Sequence, residues 1–268
     1  MNKTIAVAGM GWLGKPFSQH LSNLGFRVKG SVTSIEKATD LNKRGFEVFP
    51  VELGEDAVAG EPQGFLKDCS VLAVMIPPGL RRHTGSDYVL KMSHFLSEVA
   101  QSNVENVILV SSTSVYDDAQ GTVTEKDEPL PQTEAGKQLF QVEQLFFNAP
   151  FIKTSVVRFG GLIGGSRQPV KYLAGRKDLR NGDAPVNLIQ RQDCIHILSK
   201  IILKEAYGHI FNAVHPDHPS KKSYYTSAAK RMDLDPPSYS NESTETIYKT
   251  VNSVSISTVL NYQFSTPI

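Results

Sequence analysis

The sequence predicts an α/β protein built on a doubly wound, mostly parallel sheet, and two observations support this prediction. Short apolar, β-branched runs alternate with amphipathic stretches of helix length, which is the pattern of repeated βαβ units. The first apolar run leads directly into a glycine-rich turn and then into a helix-like segment, as the first unit of such a sheet does. We therefore expect helices on both faces of one central sheet.

The predicted elements follow one another through the first 160 residues. Strands are expected at 4–8, 26–31, 47–53, 71–76, 104–110 and 154–159. Helices are expected after the glycine turn, at 87–101 and at 134–147. In the first helix Phe17, Leu21 and Leu24 recur at helical spacing, and Gly25 ends the run. Residues 117–133 are polar and contain prolines, so we expect an extended surface excursion there.

Composition excludes several classes of function. The chain has 268 residues and is 40% hydrophobic, which is enough for a large core without disulfides or metals. Its 28 basic and 27 acidic residues give a net charge of +1, and no basic run could follow a phosphate backbone, so neither nucleic acid nor a membrane is expected as a partner. Cys69 and Cys194 are isolated, with no metal-ligand or redox spacing. The first residues resemble a strand without a cleavage site, so we expect a cytoplasmic protein.

The turn Gly9-Met10-Gly11-Trp12-Leu13-Gly14 matches the pattern G-x-G-x-x-G. It lies between a predicted strand and a predicted helix, inside a βαβ unit of about thirty residues. Gly9 permits the tight turn, Gly11 lets the backbone approach a pyrophosphate, and Gly14 lets the helix pack on the strand. The turn therefore predicts a Rossmann domain that binds a nicotinamide dinucleotide, with the pyrophosphate over residues 9–14. The alternative is a glycine-rich turn without a ligand.

The end of the second predicted strand bears on the choice of dinucleotide. Sites that prefer NAD usually place an acidic residue there to hold the ribose 2′-OH, and residues 30–34 contain none. The hydroxyls of Thr33 and Ser34, followed by Lys37, suit a 2′-phosphate, so NADP is favoured over NAD. Glu36 is interpreted as a residue of the first helical turn. The alternative is a polar loop that contacts nothing.

Several segments in order, taken together, resemble a known family. They are the glycine turn with Trp12 and Leu13, residues 110–116, Thr124-Glu125, Pro131 before the helix of Lys137, and residues 158–164, 186–193, 208–212 and 249–253. Over nearly the whole chain this order is similar to that of the extended short-chain dehydrogenase/reductases, or NAD-dependent epimerase/dehydratases. The resemblance implies an NAD(P)-dependent oxidoreductase or epimerase/dehydratase acting on a small polar, sugar-like or anionic substrate.

The resemblance also implies a catalytic serine and a Tyr-x-x-x-Lys motif. In that chemistry the tyrosine is the general acid/base, the lysine lowers its pKa and holds the nicotinamide ribose, and the serine hydrogen-bonds the reacting oxygen. Family spacing places the serine at Ser112 and the lysine at Lys137. The alternatives are a strand-end turn residue for Ser112 and a solvated lysine for Lys137.

The position of the family's tyrosine is Thr133 in this chain. A threonine hydroxyl is far too weak an acid to replace a phenol with a pKa of about 10, so the chain resembles the atypical branch that lacks this tyrosine. Tyr116 could reach the site from the serine loop; its alternative is a packed loop aromatic.

The sequence therefore predicts an NAD(P)-binding Rossmann domain over 1–160 and a smaller, intertwined C-terminal substrate lobe over 161–268. A non-catalytic NAD(P)-binding redox sensor or partner-binding protein is the alternative function. Thr133 supports that alternative, whereas Ser112 and Lys137 support an enzyme.

Other polar residues are weaker candidates. Ile76 and Pro77 follow the fourth predicted strand, where the cofactor would pass. The run 81–83 (Arg-Arg-His) and Arg167 could bind an anionic group, or could be solvated loop residues. The two histidines of 215–219 lie in a proline-rich segment without a third ligand, so we predict a turn there and no metal.

Overall fold

The computed structural model describes residues 3–79, 85–240 and 248–268. Its strands are β1 Thr4–Ala8, β2 Arg27–Val32, β3 Glu47–Leu53, β4 Val58–Gly60, β5 Val71–Val74, β6 Asn106–Ser112, β7 Thr122–Val123, β8 Lys153–Phe159, β9 Gly161–Ile163, β10 Leu188–Gln190, β11 Ile210–Ala213 and β12 Thr250–Val251. Eight of them form one sheet in the order β11-β8-β6-β5-β1-β2-β3-β4. All neighbours are parallel except β3 and β4, so the predicted fold class is confirmed.

Helices cover both faces of this sheet. They are α1 Gly14–Asn23, α2 Ile35–Lys43, α3 Pro62–Leu66, α4 Tyr88–Ala100, α5 Glu134–Phe147, α6 Arg191–Leu203, α7 Lys221–Arg231 and α8 Ser255–Thr258. Apolar side chains of α1, α2, α6 and α8 pack in one core cluster, and those of α3, α4 and α5 pack in another on the opposite face. No helix in the described ranges is long and apolar enough to cross a membrane.

Several helices are capped at their N-terminus by a side chain. The side chains of Ser34, Asp87, Thr133 and Ser220 each accept a hydrogen bond from the backbone of the first turn of α2, α4, α5 and α7 respectively. Helix α1 begins without a side-chain cap. It also ends one residue earlier than its apolar spacing suggests: Leu24 follows the helix and is 46% exposed, so it does not share the buried face of Phe17 and Leu21.

Residues after 160 contribute to the central sheet as well as to smaller units. Strand β11 pairs with β8, and α6 packs against α1. Two short parallel pairs, β9 with β10 and β7 with β12, lie outside the central sheet. The division into 1–160 and an intertwined 161–268 stays a prediction.

Candidate functional site

A cavity of about 870 Å³ lies at the carboxyl ends of the central strands. It is lined by the glycine turn after β1, by residues 75–78 after β5, by the end of β6 and the turn that follows it, and by residues after β8. Residues 184–188 and single side chains from farther along the chain close the opposite wall. Ligands bind at this edge of open α/β sheets, where the order of strands reverses. Here that point is between β1 and β5.

The three glycines of the turn have different surroundings. Gly9 has a φ of +101°, which favours glycine, and a Cβ atom there would lie 3.1 Å from the carbonyl oxygen of Met75. At Gly14 a Cβ atom would lie 2.0 Å from the carbonyl oxygen of Gly9. At Gly11 it would meet no protein atom within 4 Å. The chain itself thus requires Gly9 and Gly14, whereas Gly11 leaves open space beside the backbone.

Backbone N–H groups of the turn are available to a ligand. In the described part of the chain, the N–H groups of Trp12 and Leu13 donate to no acceptor, and Leu13, the N-cap of α1, offers no side-chain acceptor. The turn is anchored instead by Met10, whose N–H donates to the Ser31 carbonyl at 2.9 Å. A helix N-terminus with free N–H groups attracts phosphate, so the turn has the features that a dinucleotide pyrophosphate needs.

Thr33, Ser34 and Lys37 lie at the end of β2 and the start of α2, outside the residues that line the cavity. The Ser34 hydroxyl accepts a hydrogen bond from the Lys37 N–H at 3.4 Å. The Glu36 carboxylate accepts hydrogen bonds from its own backbone N–H and from the Ser34 hydroxyl, which hold its pKa below the ordinary value. The cluster considered for a 2′-phosphate therefore contains one carboxylate.

Ser112 ends β6 and lines the cavity. Its Oγ accepts a hydrogen bond from the Ser114 N–H at 3.2 Å, which leaves the hydroxyl proton to donate. Helix α5 packs closely on this turn, since a Cβ atom at Gly136 would lie 2.6 Å from the Ser114 carbonyl oxygen. The start of α5 and the serine turn are therefore neighbours, as the family pattern requires.

Thr133 and Lys137 lie one helical turn apart at the start of α5, and both are exposed. Thr133 is the N-cap, and its Oγ1 accepts a hydrogen bond from the Gly136 N–H at 3.1 Å. Lys137 is not among the residues that line the cavity. The side chain at the family's tyrosine position thus has a helix-capping contact in this chain.

Tyr116 is buried, and its hydroxyl has three partners. It accepts a hydrogen bond from Arg158 Nη1 at 2.6 Å and lies within hydrogen-bond distance of the Thr124 carbonyl oxygen and Asn212 Oδ1. Burial raises the pKa of this phenol. Tyr116 does not line the cavity. A catalytic role for it stays a prediction, and its hydroxyl would have to leave these partners to reach the cavity.

Sequence reasoning missed three charged groups that line the cavity, Asp118, Lys221 and Lys249. Lys249 Nζ lies 3.3 Å from Asp118 Oδ1 and donates to the Tyr116 carbonyl oxygen at 2.5 Å. The pairing of β12 with β7 brings these distant parts of the sequence together. The segment 249–253 belonged to the family resemblance, but no local spacing linked it to residue 118.

The charged side chains that line the cavity are mostly basic. Arg167, Lys221 and Lys249 line the cavity, while Asp118 is the single carboxylate among its described lining residues. Tyr225 lines it one helical turn after Lys221, and burial raises the pKa of this phenol to about 12. An excess of positive charge in a cleft favours an anionic ligand.

The remaining candidates contribute less. Ile76 and Pro77 line the cavity. Residues 81–83 lie outside the described residues. His215 Nδ1 accepts the Asp217 N–H at 3.1 Å, and His218 Nδ1 lies 3.0 Å from the Val186 carbonyl oxygen. The described ranges contain no group of three or more side chains placed to hold a metal ion.

Comparison with known proteins identifies the fold. No family model matches the chain. The fold is that of MoeE5 in complex with UDP-glucuronic acid and NAD (TM-score 0.80, 18% identity, 99% of this chain and 94% of that one). It is also that of UDP-N-acetylglucosamine 4-epimerase from Bacillus cereus (TM-score 0.79, 15% identity, 99% and 92%) and of a short-chain dehydrogenase/reductase superfamily protein from Agrobacterium tumefaciens with bound NAD (0.79, 15%, 98% and 93%).

In sequence, the chain is 30% identical over 267 residues to Protein YeeZ of Escherichia coli K12, covering 99% of this chain and 97% of that protein. The chain belongs to the same family as Protein YeeZ. It has the fold of the solved epimerases and of the short-chain dehydrogenase/reductase superfamily protein, so the fold that the sequence resemblance implied is confirmed. The chain departs from the pattern of that resemblance at Thr133, whose hydroxyl caps α5.

Proposed function

We propose that the protein is an NAD(P)-dependent oxidoreductase or epimerase/dehydratase-like enzyme that acts on a small anionic or sugar-like substrate. One observation carries this proposal: the glycine turn, Ser112 and the Asp118–Lys249 ion pair line the same cavity. A binding protein needs the first of these features, whereas an enzyme of this family needs polar groups beside the serine as well. The solved relatives in complex with NAD and with UDP-glucuronic acid or UDP-glucose support both ligand classes.

The cofactor contacts follow from the residues of the cavity. The glycine turn would hold the pyrophosphate through the free N–H groups of Trp12 and Leu13. Ile76 and Pro77 would line the path of the dinucleotide, and Thr33, Ser34 and Lys37 would favour NADP over NAD by contacting a 2′-phosphate. Bound NAD(P) would supply the hydride acceptor or donor.

Lys249 is our candidate for the proton exchange that a tyrosine performs in the family. Its ammonium lines the cavity, carries a transferable proton and is oriented by Asp118 and by the Tyr116 carbonyl oxygen. Ser112 would donate its hydroxyl proton in a hydrogen bond to the reacting oxygen, where charge develops. Lys137, on the exposed side of α5, would approach the nicotinamide ribose.

The second candidate function is a non-catalytic NAD(P)-binding sensor. The observation that favours it is the engagement of the two other hydroxyls near the serine turn, since Thr133 caps α5 and Tyr116 is held by Arg158. In that case the cavity would bind the dinucleotide, and the Asp118–Lys249 pair would serve only to hold the segments of β7 and β12 together.

The test is a screen of carbonyl compounds and sugar nucleotides with stoichiometrically bound NADPH, in wild type and in Ser112→Ala, Lys249→Met and Lys230→Met. Removal of one donor to a developing oxyanion lowers kcat by roughly 100-fold or more, so we expect losses of that order in the first two variants. Lys230 is exposed on α7 and does not line the cavity, so Lys230→Met should retain activity. Tight cofactor binding without turnover of any compound would favour the sensor.

A further inference from the structure

Two arginines from the C-terminal part of the chain lie over the ring of Trp12, inside the glycine turn. The guanidinium carbon of Arg167 is 5.6 Å from the centroid of this ring, and that of Arg191 is 5.2 Å from it. Arg191 is the first residue of α6, and Arg167 lies in a small hairpin that bridges to Gly164. Both distances are typical of cation–π contacts.

Neither arginine has an ion-pair partner among the residues that the structure describes. In the described ranges, no carboxylate forms an ion pair with Arg167 or Arg191. The indole Nε1 of Trp12 is buried, and the described residues offer it no acceptor. Among the described residues, two positive charges therefore share one aromatic ring without a counter-ion, beside the N–H groups of Trp12 and Leu13, which donate to no acceptor there. An anion would complete this arrangement.

The two arginines differ in how tightly they are held. Arg191 packs against Gly165, where a Cβ atom would lie 2.7 Å from its guanidinium carbon, so a side chain larger than glycine would displace it. Arg167 is exposed and lines the cavity. Arg191 is thus positioned by the fold, whereas Arg167 is exposed to the cavity.

We propose that Arg167 and Arg191 form an anion clamp over the glycine turn and bind the pyrophosphate of the dinucleotide together with the N-terminus of α1. The proposal rests on the proposed function and adds a second, C-terminal half to its phosphate site. The position of Trp12 favours the cofactor over an anionic substrate as the ligand, because its ring belongs to the turn that we propose holds the pyrophosphate. Arg167 would make the direct contact, and Arg191 would add charge and fix the ring.

Trp12 is the only tryptophan of the chain, so its fluorescence reports directly on this site. The experiment titrates ADP-ribose, which contains the pyrophosphate, and AMP, which lacks it, into wild type, Arg167→Ala, Arg191→Ala and Arg180→Ala. Arg180 is exposed and does not line the cavity, so it is the matched control. Isothermal titration calorimetry gives the affinities independently, and thermal unfolding checks that each variant folds.

We expect Arg167→Ala to weaken ADP-ribose binding by roughly tenfold or more, since charge-assisted contacts to phosphate are strong, and Arg191→Ala to weaken it less. The affinity for AMP should stay the same in both variants, and Arg180→Ala should match wild type. The affinity of Arg167→Lys for ADP-ribose should lie between those of wild type and Arg167→Ala, because lysine keeps the charge but not the planar guanidinium.

Equal losses for AMP and ADP-ribose would overturn the clamp and show that the arginines only shape the turn. Unchanged ADP-ribose binding in both variants would also overturn it. A wild-type protein that binds neither NADP nor ADP-ribose would instead refute the proposed function itself, which separates the two failures.

Discussion

Glu143 of α5 and Arg158 of β8 form an ion pair inside the protein, with 2.6 Å between Oε2 and Nη2 and with at most 2% of either side chain exposed. Ser111 Oγ donates to the same carboxylate at 2.5 Å, and Arg158 also donates to the Tyr116 hydroxyl. Ser111 directly precedes Ser112 on β6. The pair therefore ties α5, β6 and β8 together directly behind the serine turn.

Removal of one member of this pair should destabilise the protein strongly. Glu143→Gln leaves the buried Arg158 guanidinium without its counter-charge, which costs roughly 3–5 kcal/mol. Urea unfolding measures the loss in the free energy of unfolding. The double variant Glu143→Met/Arg158→Met should lose less than the sum of the single changes, because neither charge stays buried alone. A single variant as stable as wild type would contradict this account.

The glycine turn separates a binding defect from a folding defect. Gly11→Val should fold and lose dinucleotide binding, because a Cβ atom there has no protein atom within 4 Å and the side chain would fill the space for the pyrophosphate. Gly14→Ala should instead lower the melting temperature, since its Cβ would collide with the Gly9 carbonyl oxygen. Thermal unfolding and calorimetric titration of both variants provide the measurement. Unchanged affinity in a folded Gly11→Val would show that the turn is not the phosphate site.

The cofactor preference can be measured directly. We expect NADP to bind at least about tenfold more tightly than NAD, because a charge-assisted contact to phosphate contributes on the order of 1.5–3 kcal/mol. Lys37→Ala should reduce this ratio. Equal dissociation constants at physiological salt would refute the preference, and tighter NAD binding that Glu36→Gln abolishes would identify Glu36 as the ribose ligand.

Thr133 should matter for stability more than for chemistry. Thr133→Val removes the cap of α5 and should cost about 1 kcal/mol of stability, with little loss of whatever turnover is found. Thr133→Ser keeps the capping hydroxyl and is the control. If Thr133→Tyr creates reductase activity, the native site lacked only a proton donor, which supports the sensor. Loss of all turnover in a folded Thr133→Val would show that this hydroxyl takes part in the reaction.

The cysteines should be unreactive in the folded protein. Burial raises the pKa of the Cys69 thiol to about 11, and it also raises the pKa of the Cys194 thiol. Because the folded pKa lies above the ordinary thiol value of about 8.5, the stability due to Cys69 is present below that value and falls as pH rises towards 11. Iodoacetamide labelling at pH 8, followed by mass spectrometry, should occur only as urea unfolds the chain; rapid labelling without urea would contradict it.

The features predicted best from the sequence were the strands, helices and turns that depend on the spacing of nearby residues. The bounds of β1, β3 and α5 agree with prediction, and the strand–glycine turn–helix order located one wall of the cavity. The sequence indicated the start of helix α2 through Glu36 but not its bounds, because only Ala38 and Leu41 of its residues are buried, which leaves little apolar periodicity. The Asp118–Lys249 pair could not be predicted, since it depends on two strands of two residues each, too short to show any alternation.

The pairing of β7 with β12 also sets an order of events in the cell. A growing chain folds its N-terminal part first, so the glycine turn and the serine turn emerge from the ribosome well before residues 249–251 do. A nascent chain could already retain a nucleotide while its candidate proton donor is still unsynthesised. Binding and chemistry would then be acquired separately in time, because Lys249, the charge beside Asp118, follows both turns in the order of synthesis.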